Sequence, residues 1–112
     1  MDKWTIDFEP MPSKRSGIAA TAVNGSIYVL GGEQDQGTFA NNERYDPIKD
    51  VWTKDVPMPT ARHGLGVSFI DGKIYAIGGG TDRGFFVSGI NEIYYLGNGA
   101  SNTANATTAS NT

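Results

Sequence analysis

With 112 residues, a net charge of −3 and 15 glycines, the chain is long enough for one small domain and no more. Its mildly acidic balance excludes the basic footprint that nucleic acid demands, and no stretch is long and apolar enough to span a bilayer. The absence of cysteine excludes disulfides, thiolate metal sites and cysteine nucleophiles.

Met1-Asp2-Lys3-Trp4 offers no apolar signal core, so no secretory leader is expected and a cytoplasmic setting is the default. Helical patterning is absent. Residues 4–8 read as a strand, because Trp4-Thr5-Ile6-Asp7 parallels Trp52-Thr53-Lys54-Asp55. Residues 18–23 and 26–31 read as two strands joined at Asn24-Gly25, a pair suited to the positive φ angles of a type I′ hairpin turn. A polar loop is expected over 32–41, a strand over 42–46, a turn at Pro47 to Asp50 and a strand over 51–54. The pattern then starts again: strands over 65–70 and 73–78 about the turn Asp71-Gly72, a loop over 79–89 and a strand over 90–96. Residues 97–112 contain only Asn, Thr, Ala, Ser, Gly and no charge. They cannot offset the entropy of ordering and are expected to be a disordered, low-complexity tail. Asn24-Gly25-Ser26 and Asn105-Ala106-Thr107 match the glycosylation sequon, a short motif that also arises by chance. The hairpin turn accounts for the first.

The recurrence is an internal repeat. Met11-Pro12-Ser13-Lys14-Arg15-Ser16-Gly17 is matched by Met58-Pro59-Thr60-Ala61-Arg62-His63-Gly64, and Ile27-Tyr28-Val29-Leu30-Gly31-Gly32 by Ile74-Tyr75-Ala76-Ile77-Gly78-Gly79, all at a constant offset of 47. A period of this size marks a repeat architecture. The paired glycines after the β-branched and aromatic run, the spaced Tyr45-Asp46 and the later Trp52 together resemble the kelch repeat. The resemblance extends over about residues 1–96 and implies an all-β fold of four-stranded antiparallel β-propeller blades. Blade one is expected over about 14–56 and blade two over about 61–96. The second copy departs from the pattern, with Tyr95 in place of Asp and no following tryptophan. The strand over 3–9 is therefore expected to complete blade two, which is otherwise left open.

Two blades do not close a ring, since propellers typically have about four to eight. Two readings follow: a piece of a larger propeller, or a ring shared between chains, in which three copies give six blades.

In an up-and-down blade, the loop entering the first strand and the loop between strands two and three share one end. This gathers Arg15, Arg62 and His63 beside Glu33, Asp35, Phe39, Asp82, Arg83, Phe85 and Phe86. Long loops on a rigid scaffold tend to carry binding, and related kelch domains hold partner proteins on such surfaces. By that resemblance Arg15 and Arg62 would grip acidic groups of a partner with their planar forks. Residues recurring once per blade also have a structural reading, tying down a loop carbonyl or a carboxylate. Phe85-Phe86 read either as an exposed sticky tip or as a contact onto another blade.

Catalysis is not expected. Gly31-Gly32 and Gly78-Gly79 end strands with no helix behind them to cradle a phosphate. The single histidine, His63, cannot form a three-ligand zinc site, and no nucleophile motif is present. Neither metal nor cofactor is expected. The function expected is a non-catalytic platform for protein partners of unspecified identity. The alternatives are a carbohydrate or small-ligand binder self-assembled from two-blade chains, and the inactive remnant of a kelch-type enzyme.

Overall fold

The computed structural model describes residues 2–97. The expected tail from residue 98 onward, with its sequon, lies outside the described residues. Among the described residues nine strands form two principal sheets and a small ribbon. β1 (Ala19–Val23), β2 (Ser26–Leu30), β5 (Asn42–Asp46) and β6 (Val51–Lys54) make an antiparallel sheet in the order β1-β2-β5-β6. β7 (Gly66–Ile70), β8 (Lys73–Ile77) and β9 (Asn91–Tyr95) make the second, in the order β7-β8-β9. Each sheet has the consecutive antiparallel strand order of a propeller blade.

The hairpins form for the reason read from the sequence. Asn24 and Gly25 take φ of 50° and 86°, and Asp71 and Gly72 take 51° and 77°, the left-handed values that a two-residue turn matched to strand twist requires. The turns fix the registers Val23↔Ser26 and Ile70↔Lys73. In blade one Tyr45 lies opposite Trp52 across β5 and β6, with ring centroids 4.8 Å apart.

Side chains alternate between the two faces of each sheet. The face of blade one turned toward blade two carries Tyr28 and Leu30. It meets Ile74, Ala76 and Tyr94, and with Val23, Met58 and Leu65 these residues build the core. The core is therefore an interface between blades, as expected of a repeat that cannot bury both faces alone. Tyr28 and Tyr94 meet edge-to-face at 6.4 Å. Near the ring centre β1 packs on β7, and Gly64 donates its amide to the carbonyl of Gly17 at 2.7 Å.

One expectation is corrected. The loop over 32–41 contains a two-stranded ribbon, β3 (Glu33–Gln34) and β4 (Gly37–Thr38). Of the two arrangements expected for blade two, the open one is found: residues 3–9 form no strand and leave it three-stranded among the described residues. The cause lies at Glu9. Its amide donates to Asp50 Oδ1 at 2.9 Å, and its carbonyl accepts the Trp52 indole N–H at 2.9 Å. These bonds hold it on the face of blade one that looks away from blade two, so residues 4–8 are led away from β9 of the same chain.

Candidate functional site: the loop rim and its arginine clasps

Both repeat arginines point inward. Arg15, just ahead of β1, donates from Nη2 to Glu43 Oε1 at 2.7 Å and to Met11 Sδ at 3.2 Å, and from Nη1 to the carbonyl of Gly31 at 2.5 Å. Ser13 Oγ donates to the other carboxylate oxygen of Glu43 at 2.9 Å. Arg62 repeats the arrangement ahead of β7. Its Nη2 donates to Glu92 Oε1 at 2.9 Å and to Met58 Sδ at 3.8 Å, and its Nη1 to the carbonyl of Gly78 at 3.0 Å. Thr60 takes the place of Ser13, donating to Glu92 Oε2 at 2.6 Å. Nη1 of Arg62 also reaches the carbonyls of Ala76 and Ile90.

The side chains of Arg15 and Glu43 are 0% and 2% exposed, and that of Arg62 is 0% exposed. The expectation that these two arginines grip an acidic partner is thus corrected. Each clasps its own blade, fastening the loop before the first strand to the end of the second strand and to the third. The planar fork explains the use of arginine, since it bonds a carboxylate and a strand-end carbonyl together.

A second set of polar contacts joins the blades. Asp55 Oδ1 accepts the Tyr94 hydroxyl at 2.6 Å, and Oδ2 pairs with Arg44 Nε at 3.2 Å. Burial and the nearby Asp55 carboxylate push the Tyr94 hydroxyl pKa up. At the loop end, His63 sits with Nε2 at 2.8 Å from the Asp82 carbonyl and Nδ1 at 3.4 Å from Glu33 Oε2. Glu33 Oε1 accepts the amide of Gly84 at 3.0 Å, and Arg83 Nη1 donates to the carbonyl of Asp35 at 2.7 Å. His63, Arg83, Glu33, Asp35 and Asp82 are therefore brought together as expected, but as struts between the two long loops. Phe39 is half-buried, and its backbone links the Gly32 carbonyl to the Arg62 amide.

Held up by these struts, Phe85, Phe86 and Val87 project into solvent, Phe85 being 105% exposed. Both readings of Phe85-Phe86, a sticky tip and a contact onto another blade, expect this exposure, and Val87 extends it. Below the tip, a shallow hollow is lined by His63, Gly64, Gly80, Phe86 and Ser88. Among the described residues no group of three or more His, Cys, Asp or Glu side chains could hold a metal ion, and no helix is long and apolar enough to cross a membrane.

Sequence reasoning missed Glu43 and Glu92, the acceptors that neutralise the arginines. The second loop is two residues longer than the first, so the glutamates fall out of the 47-residue register. An alignment allowing that insertion pairs them. It also missed Val87 and the Asp55–Tyr94 contact.

The comparisons agree with this geometry. The kelch motif model matches residues 14–59. Kelch-like protein terF of Aspergillus terreus is 35% identical over 54 residues, which is 45% of this chain and 12% of the relative. The solved structure of YjhT superposes with a TM-score of 0.64 at 25% identity, over 72% of this chain and 25% of that one. The match thus spans a small part of each relative's own length. The kelch motif thus accounts for residues 14–59, and the internal copy repeats the first three strands of that unit.

Proposed function

We propose that the chain is a non-catalytic platform that holds a protein partner on its loop rim. The observation that carries this reading is the tip Phe85-Phe86-Val87: three consecutive apolar side chains turned to solvent on a loop braced by Glu33 and Asp35 of the neighbouring blade and by His63 of its own. A contiguous exposed apolar group rimmed by polar residues marks an interaction site. Aromatic anchors on a braced support lose little entropy on docking. The partner that fits is a protein surface with an apolar hollow for Phe85. The arginines take no part in contact and act by fixing the loops from within.

The test is affinity purification with the wild-type chain and with Phe85→Ser/Phe86→Ser, both checked by circular dichroism for unchanged β content. A protein recovered with the wild type and reduced about tenfold or more with the variant, equivalent to about 1.4 kcal/mol of binding, supports the reading. Equal recovery by both chains overturns it.

A further inference from the structure

The repeat sets Ser16 ahead of β1 and His63 ahead of β7 at one and the same position. Each bridges through its backbone to the loop after the second strand of its own blade, Ser16 to Glu33 and His63 to Gly80. The histidine side chain also reaches the other blade. Its ring stands in a slot between Gly17 of blade one and Gly80 of blade two. A Cβ added at Gly17 would lie 3.2 Å from the His63 Cβ, and one added at Gly80 would lie 3.0 Å from Nε2. Glycine at both positions leaves the ring its space.

Both ring nitrogens face oxygen. Nε2 is 2.8 Å from the carbonyl of Asp82, and Nδ1 is 3.4 Å from Glu33 Oε2. A carbonyl and an ionised carboxylate accept hydrogen bonds and donate none. An imidazolium has two N–H donors and satisfies both. A neutral imidazole has one N–H and one lone pair, so whichever nitrogen keeps the proton, the other turns a lone pair toward an oxygen. The charged groups around the ring come from both blades: Glu33 on β3 and Asp35 just beyond it, and Asp82 and Arg83 in the loop after β8. Arg83 is turned onto the carbonyl of Asp35, and the Asp82 carboxylate accepts the Arg83 amide. Glu33 is therefore the charge that meets the ring, whose side chain is 12% exposed. The other oxygen of Glu33 accepts the amide of Gly84, directly before Phe85. The contacts thus run without a break from a proton site to the foot of the exposed tip.

We propose that His63 is a proton-controlled latch between the two blades: with two ring protons it joins Glu33 to the Asp82 carbonyl and holds the loop over 82–87 in place, and on losing one it releases that loop. Histidine changes charge between about pH 5 and 8. The latch is therefore closed at the acid end of that window and opens toward the alkaline end. The bond from Gly84 to Glu33 survives the change and then bears the loop alone. Serine does not titrate in this window, so Ser16 gives blade one no such device. That the latch governs capture of a partner rests on the reading of Phe85-Phe86-Val87 as the point of contact, whereas the latch itself does not.

The test is amide NMR relaxation of the full chain at about pH 5.5 and about pH 8, on either side of histidine titration. Order parameters over residues 82–87 are expected at about 0.85 in acid and below about 0.6 in alkali, with those of the turn Asp71-Gly72 unchanged. His63→Ser, which installs the residue blade one has there, should give the low values at both pH values. Glu33→Gln keeps an acceptor for the Gly84 amide and sets an N–H donor against Nδ1, so the neutral ring is bonded too. Its loop is expected to stay ordered at both pH values. Equal order parameters of the wild-type loop at the two pH values overturn the proposal, as does a pH response that survives in either variant. A loop that responds as expected, with equal recovery of protein by the wild type and by Phe85→Ser/Phe86→Ser, overturns the reading of the tip and leaves the latch intact.

Discussion

Arg62 shows how one side chain can set the position of a whole loop. It reaches a carboxylate, a thioether and three strand-end carbonyls from a fully enclosed position. Taking one member from a buried ion pair leaves an uncompensated charge, at a cost of about 3–5 kcal/mol. Arg62→Ala is expected near the lower end of that range, because Glu92 keeps some access to water at 21% side-chain exposure. Arg62→Lys falls between the two, since a point charge keeps the attraction and loses the fork. Urea denaturation at one fixed protein concentration measures both. Equal stability of Arg62→Ala and wild type would remove the clasp as a stabilising element. The repeat of Arg15 and Arg62 was plain in the sequence, and so was the choice between gripping a partner and tying a loop. What decided between them was the position of the glutamates, set by loop lengths that no fixed offset captures.

At the scale of the element, the turns and strand ends carry the fold. Gly25 has φ of 86° and nothing within 4 Å of an added Cβ, whereas at Gly79 that Cβ would lie 2.5 Å from the carbonyl oxygen of His63. Gly25→Ala is therefore expected to cost about 1–2 kcal/mol, the penalty of a left-handed L-residue, and to keep the fold. Gly79→Ala has the same backbone penalty and a steric overlap with fixed backbone, so it should abolish cooperative melting of blade two. Thermal melts followed by circular dichroism separate the two cases, and similar melting temperatures would contradict this account. The long hairpins were legible because two-residue turns have a sequence signature and five-residue strands show their alternation. The β3–β4 ribbon was not, because two residues per strand give no period to detect. The strand expected over 3–9 was legible as a pattern. Its partner was not, since pairing depends on which face of blade one holds Glu9.

At the largest scale, the described residues form a pair of blades whose core lies between them. Ile74 is completely buried at the internal junction, while Ile27, at the same repeat position in blade one, is 38% exposed. Truncating a buried isoleucine to alanine costs about 2–5 kcal/mol, so Ile74→Ala is expected to destabilise by that amount. Ile27→Ala should cost clearly less, because part of that side chain is already in water and its removal leaves no closed cavity. Urea denaturation of the two variants beside the wild type tests this. Equal losses of stability would contradict the assignment of the core to the junction between the blades. The clasps have a consequence on a longer timescale. Methionine, hydroxyl, arginine, strand-end carbonyl and glutamate of each clasp all come from one repeat, and none is borrowed from the other. A duplicated or deleted stretch of about 47 residues thus carries away or brings in both members of every buried charge pair. Genes of this kind can lengthen or shorten by whole repeats without ever stranding a charge, so blade number is free to change faster than the blade itself.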